Sequence, residues 1–364
     1  MKFIFAKTLF LLAASLAFMP NRSAEQTAKQ QDQPLKVLHL VATTAVKDQA
    51  MSSTCWSFAT LSFIEAETLR EQKLTLDLSE MFVARHAYLQ KTKAYWQAKG
   101  NLFFTPGGQA QDVMNVINQE GLMPENAYTG RCRGEQTHQQ QNLDSTMAKT
   151  VKALLVQQNP KFEQTFVPIL DKHLGKLPQT FTYEKQNYTA KEFAQKVVRL
   201  NPQDYVEITS YTHHPFYEPF VLESPFNWAK HSYYNLPLAE FMACAYAALE
   251  GGYSLVWNGD VTEDLFDFGR GLALLQDETK PYTQTERQNT FEDKTSKIDH
   301  VMHLVGVAQG AEQQKYYIVK NSWGTQNSAA GFMYLSENYF KVKTVSLLLH
   351  RKALPAAVAA KLKL

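Results

Sequence analysis

The apolar residues change their period along this chain, and no single-class fold accommodates both patterns. From Cys55 onward, Phe58, Ala59, Phe63, Ala66 and Leu69 recur near helical spacing, with no Gly or Pro until well past Arg70. Ser79 reads as the cap of a second helix that starts at Glu80. A third helix is predicted over 109–120, after the breakers Pro106, Gly107 and Gly108, and it stops at Gly121. The last third reads differently. Residues 238–250 form one helix closed by Gly251-Gly252, and short strands follow at 253–257, 300–307, 316–320 and 332–335. A helix-rich front and a strand-rich back predict two lobes of different class with a cleft between them.

The chain divides accordingly. Residues 35–128 are read as the N-terminal helical lobe and 236–350 as the β-rich lobe. Between them, 129–235 is a polar, mixed insert with predicted helices near 145–157 and 190–200, and 351–364 is a C-terminal tail. Residues 1–24 carry Lys2 and Lys7, an apolar run from Thr8 to Met19, and the small residues Ser23 and Ala24. That is the layout of a secretory signal peptide. The run is short for a retained membrane anchor. Residues 25–34 are then a Gln-rich polar leader, and the mature chain is expected in the periplasm or outside the cell, without stable membrane insertion. Lys and Arg number 37 against 35 Asp and Glu. That balance excludes a dedicated nucleic-acid surface, which needs a basic excess.

Three cysteines are present, Cys55, Cys132 and Cys244. An odd number in an exported chain implies a free thiol. Cys244 lies in the apolar helical pattern of 238–250, which favours burial. A Cys132–Cys244 disulfide is the alternative in an oxidising compartment. Cys55 stands at a predicted helix start, where free N–H groups and the helix dipole favour a thiolate. A thiolate nucleophile needs a base and a group that orients the base. His300 opens one predicted strand and Asn321 closes another, so neighbouring strands would bring them together. His303 is a rival base, but residues three apart on a strand face opposite sides. Gln49 and the Cys55 N–H would donate to a tetrahedral oxyanion, a contribution of about 3–4 kcal/mol to the barrier. His213, His214 and His231 lack metal-ligand spacing and read as solvated or packing residues. Asp299 reads equally as a cleft or a surface carboxylate, and Asp260 has no chemistry legible in sequence.

The order Gln49…Cys55-Trp56, His300 and Asn321-Ser322-Trp323-Gly324 resembles the papain family. The resemblance covers most of 40–125 and 238–340. It implies an α+β papain-like fold, with a helical lobe, a β-barrel-like lobe and the active site in the cleft. It assigns Cys55 as nucleophile, His300 as general acid/base, Asn321 as the orienting residue and Gln49 as the oxyanion donor. Trp323 would shield the Asn–His hydrogen bond, and His300 rather than His303 matches the family spacing to Gly306. Gly107-Gly108 would pair with an extended substrate through the backbone. Peptide substrates are implied, with no metal and no organic cofactor.

Ser52 and Ser53 stand where secreted papains have a cysteine and a glycine, so their common first disulfide cannot form. His300 also follows Cys55 by 245 positions, about a hundred more than the papain-like spacing. These departures resemble the bleomycin hydrolase, or aminopeptidase C, branch. So do Gly107-Gly108-Gln109, Gly121-Leu122-Met123-Pro124-Glu125, Asp204-Tyr205-Val206, Val256-Trp257-Asn258-Gly259-Asp260-Val261 and Leu335-Ser336-Glu337. In that branch a C-terminal arm lies in the cleft and its carboxylate meets the substrate amine. The tail from Leu354 to Leu364 is expected to be such an arm, which favours an aminopeptidase over an endopeptidase. The branch also suggests a ring-like homo-oligomer. The rival from another class is a non-catalytic peptide-binding protein on the same scaffold, and acyl transfer to an amine is a second enzymatic alternative.

Overall fold

The computed structural model describes residues 35–132, 134–158 and 161–364. The predicted signal peptide and the polar leader lie outside the described residues. Among the described residues no helix is long and apolar enough to cross a membrane.

The front of the chain folds into α1 (Cys55–Gln72), α2 (Glu80–Gln97), α3 (Ala110–Glu120), α4 (Gln141–Val156) and α5 (Phe162–Leu174). Each boundary has a local cause. Lys73 turns left-handed after α1, and the Ser79 hydroxyl accepts the Phe82 N–H at the start of α2. Gln109 and Asp112 cap α3 reciprocally, and Gly121 ends it at φ 88°. A short helix α6 (Ala190–Phe193) follows, then α7 (Leu238–Glu250), α8 (Gln284–Glu292), α9 (Glu337–Lys343) and α10 (Ala356–Leu362).

Eleven strands form one sheet. They are β1 (Lys36–Leu40), β2 (Tyr205–Thr209), β3 (Pro219–Val221), β4 (Ser232–Asn235), β5 (Leu255–Gly259), β6 (Phe266–Asp267), β7 (Leu272–Ala273), β8 (His300–Gln309), β9 (Lys315–Lys320), β10 (Phe332–Ser336) and β11 (Thr344–His350). The order is β3-β4-β2-β11-β5-β8-β9-β10-β7-β6, with β1 paired to β8. β8 is the hub. Its first half pairs with β5, and its second half pairs with β1.

Alternation along these strands divides the core. Val256, Val301 and Leu348 face the helical core around Phe63, Ile64 and Phe82. Their neighbours Leu255, Trp257, Met302 and Leu347 face the other way, onto Phe241 and Ala245 of α7. Each fully buried side chain of this size contributes about 1.5–3 kcal/mol. Residues 129–235 are shared between the two parts. Leu143, Met147, Phe166 and Leu170 enter the helical core, while β2, β3 and β4 extend the sheet. Periodicity did not reveal α5, which carries Pro168 in its interior, nor α8 and α9.

Candidate active site

α1 begins at Cys55, as the apolar period requires, and the thiol is partly buried where this helix meets the start of β8. The N–H groups of Val301, Trp56 and Cys55 itself face the sulfur. Burial pushes the thiol up to about 11, the nearby Asp299 charge pushes the same way, and the three N–H groups oppose both.

The segment before Cys55 is tied to the Asn321-Ser322-Trp323-Gly324 motif by backbone bonds. The Gln49 N–H donates to Ser322 O at 2.8 Å, and the Gly324 N–H donates to Lys47 O at 3.2 Å. The Ser322 hydroxyl donates to Gln49 Oε1 at 2.7 Å. That contact occupies the amide oxygen and leaves Nε2–H as the donating end of the buried Gln49 side chain. Lys47 anchors the segment from below, with Glu65 at 3.2 Å, Asp77 at 2.7 Å and Glu80 at 2.6 Å.

His300 is the first residue of β8, buried, and paired in register with Gly259. Its Nε2 lies 2.8 Å from Asn321 Oδ1. The same Oδ1 accepts the Ser322 N–H at 2.8 Å, so it is the oxygen, and Nε2 of His300 is the protonated ring nitrogen. Nδ1 is left as the basic one. The Trp323 ring covers His300 at 4.6 Å between centroids, and Phe266 and Phe268 pack on Trp323 in turn. Burial pulls His300 down to about 4, against the Asn321 bond. His303 points to the opposite face. Its Nδ1 meets Ser62 Oγ of α1 at 2.8 Å, and its ring sits edge-on to Phe63.

Gly107 and Gly108 lie beside α1, where Trp56 Nε1–H donates to Pro106 O at 3.2 Å. A Cβ on Gly107 would sit 2.8 Å from the Phe226 ring, and one on Gly108 2.8 Å from Trp56. Glycine is needed here for close approach. Lys91, buried on α2, donates to Thr105 O at 2.9 Å and to Gly107 O, and clamps this loop. Neither Lys91 nor Lys47 was legible as a site residue, because their partners are distant in sequence and carry no pattern.

Other residues singled out in the sequence fall elsewhere. His213 and His214 meet on Glu223, at 3.1 and 2.6 Å, while His231 faces Asn115. Gln288 Oε1 accepts the Thr212 N–H, so its Nε2 donates to His213 Nδ1. The proton of His213 therefore sits on Nε2, which donates to Glu223 instead of offering a lone pair. Asp260 is an internal cap for Thr262 and Lys297. Asp299 accepts the Val261 N–H at 3.0 Å, and burial raises its carboxyl to about 6.

All three cysteines are free, so Cys132 and Cys244 do not pair, and Cys244 is buried on α7. The expectation for the tail is corrected. Residues 356–362 are helical, with Val358 and Leu362 buried in the core behind the sheet and Lys361 paired to Glu240 of α7 at 2.7 Å. The i, i+4 spacing of those two apolar residues docks the tail on α7, on the face away from α1, so it is not an arm in the cleft.

A profile of the Peptidase C1-like family matches residues 99–364. That stretch includes His300 and Asn321, and Gln49 and Cys55 precede it. Aminopeptidase G of Lactobacillus delbrueckii subsp. lactis is 22% identical over 356 residues, covering 85% of this chain and 81% of the relative. Aminopeptidase C of Listeria monocytogenes is 22% identical over 375 residues, covering 90% and 85%. The crystal structure of PepW from Lactobacillus rhamnosis superposes with a TM-score of 0.75 at 21% identity, covering 94% of this chain and 87% of that one. Its likeness establishes the papain-like α+β fold.

Proposed function

Because the chain belongs to the Peptidase C1-like family and is a cysteine peptidase, we propose that it is an aminopeptidase acting through Cys55, His300 and Asn321. The observation that carries this reading is the 2.8 Å bond from His300 to Asn321. It sets the imidazole tautomer at a strand end whose next N–H faces the Cys55 sulfur. The thiol proton moves to His300 Nδ1 as Sγ attacks the peptide carbonyl. The oxyanion takes hydrogen bonds from the Cys55 N–H and Gln49 Nε2–H. The C–N bond breaks as the imidazolium protonates the leaving amine, and a thioester remains. Water attacks it with His300 Nδ1 as base, which releases the acid and restores the thiol. Burial favours the neutral form of each partner singly; a thiolate beside an imidazolium offsets both costs together.

The amino-terminal preference is supported by the relatives, which are named as aminopeptidases. One observation favours an endopeptidase instead, namely the docking of 356–362 on α7 rather than in the cleft. Kinship with the bleomycin hydrolase branch rests on the motifs quoted above. Export rests on the basic start and apolar run of residues 1–24. Paired peptides with free and acetylated N-termini separate the two activities, with Cys55→Ala as control. Faster cleavage of the free peptide is expected. Faster cleavage of the acetylated one establishes the endopeptidase, and hydrolysis retained by Cys55→Ala removes Cys55 from the reaction.

A further inference from the structure

The two oxyanion donors assigned above, the Gln49 amide and the Cys55 N–H, lie at the two ends of one seven-residue loop. Its backbone is not relaxed. Ala50 has φ 45° and Ser53 has φ 55°, and both carry a Cβ. Left-handed conformations of such residues persist only where the surroundings hold them. Ala50 is held by the residue just before the loop, since its N–H donates to Asp48 Oδ1 at 2.8 Å. Ser53 and Met51 are held from outside. Ser53 Oγ donates to Asp144 Oδ2 at 3.1 Å, and the Met51 N–H donates to His138 O at 3.2 Å.

Both outside anchors come from the segment between the two parts of the fold. Asp144 is in the first turn of α4, and its neighbours Leu143 and Met147 are fully buried in the helical core. The His138 ring packs edge-on against Phe58 in the first turn of α1. Residues 138–144 therefore touch the loop and the helix that follows it, and both contacts rest on a packed base. Tyr88 is buried on α2, and burial, with the charges of Asp144 and Cys55, pushes its hydroxyl well up.

We infer that Asp144 is a positioning residue for the nucleophile loop, holding Ser53 left-handed so that the Cys55 N–H and Gln49 stay aimed at one oxyanion. This rests on the peptidase reading above. The brace takes the place of a covalent tie in a loop that has serines at 52 and 53. Its effect belongs in the transition state, because the loop donors act on the oxyanion, whereas the Gly107-Gly108 edge that would bind substrate is clamped separately by Lys91.

The test is a cycle of Asp144→Ala and Ser53→Gly in the full chain, with Ser53→Ala and Asp144→Asn alongside. Glycine adopts a positive φ without a brace. Asp144→Ala and Ser53→Ala are each expected to lower kcat about tenfold, with KM within about twofold. Asp144→Asn, which keeps an acceptor oxygen, retains most activity, as does Ser53→Gly. In the Ser53→Gly background, Asp144→Ala is expected to add no further loss. An equal loss in both backgrounds, or a loss confined to KM, overturns the brace. Alkylation of Cys55 by iodoacetamide, followed by mass spectrometry of its peptide, reads the loop without any peptide substrate. If the wild type alkylates at Cys55 but cleaves no peptide, the peptidase reading fails. The brace then still stands or falls on whether Asp144→Ala changes the alkylation rate in the wild-type loop and not in Ser53→Gly.

Discussion

The sheet and the helical side of the cleft hold their chemical groups by different means. His300 and Asn321 sit at the ends of paired strands, where ladder hydrogen bonds set the backbone and one side-chain bond sets the imidazole. Gln49 and Cys55 sit at the ends of a loop with two left-handed residues, and the side chains of Asp144 and Ser322 steady it. A ladder is many weak bonds that fail together, whereas a braced loop depends on a few. Substitutions that leave the backbone intact should therefore do most damage on the sheet side by freeing one ring, and on the loop side by removing an anchor.

The largest expected effect tests whether the two sides act as one unit. Cys55→Ala should lower peptide turnover by about 10⁴-fold or more and abolish labelling by an epoxide thiol reagent. Asn321→Ala breaks the sheet side alone. It leaves the His300 ring free to turn, and kcat should fall about 100-fold in steady-state assays. It also removes the bond that raises His300, so the acid limb of kcat/KM should move to lower pH. Gln49→Ala breaks the loop side alone, with a loss of about 100-fold in kcat and little change in KM. Lys91→Met releases the Gly107 loop without touching the reacting groups, and KM should rise about fivefold.

The smallest expected effect concerns the sheet near the cleft. Glu207 on β2 is buried, and burial pushes its carboxyl up to about 8, while Asn258 Nδ2 donates to it at 3.3 Å. The folded state thus keeps a proton that the unfolded state has lost. The contribution is full below the unfolded pKa of 4.5 and is lost as pH rises through about 8. Glu207→Gln should therefore stabilise the protein by about 1–2 kcal/mol at pH 8 and hardly at all at pH 4. Denaturant melts at the two pH values check this.

The helix starts at Cys55, Glu80 and Ala110 were legible because capping and apolar period are local signals. Strands β5, β8, β9 and β10 were legible within two residues for the same reason. β2 and β11 were not, since each follows a helical turn with no residue between, and no breaker marks where the strand starts. In the candidate site, Gln49, Cys55, His300 and Asn321 were proposed from their order alone. Gln49 and Asn321 proved to be joined through Ser322, a contact of 273 positions that no spacing announces.

The sequence by itself determined where α1 begins, which residues are candidates for the chemistry, and that His300 and His303 face opposite sides, since periods of 3.6 and 2 are properties of the local chain. Tertiary structure alone decided that the tail docks on α7 and that residues 129–235 are shared between helical core and sheet. It also decided that Asp144 and Lys91 reach the edges of the cleft. These are contacts between residues that become neighbours only when the core closes. Their partners are chosen by the packing of whole elements, and that choice leaves no trace in local period or spacing.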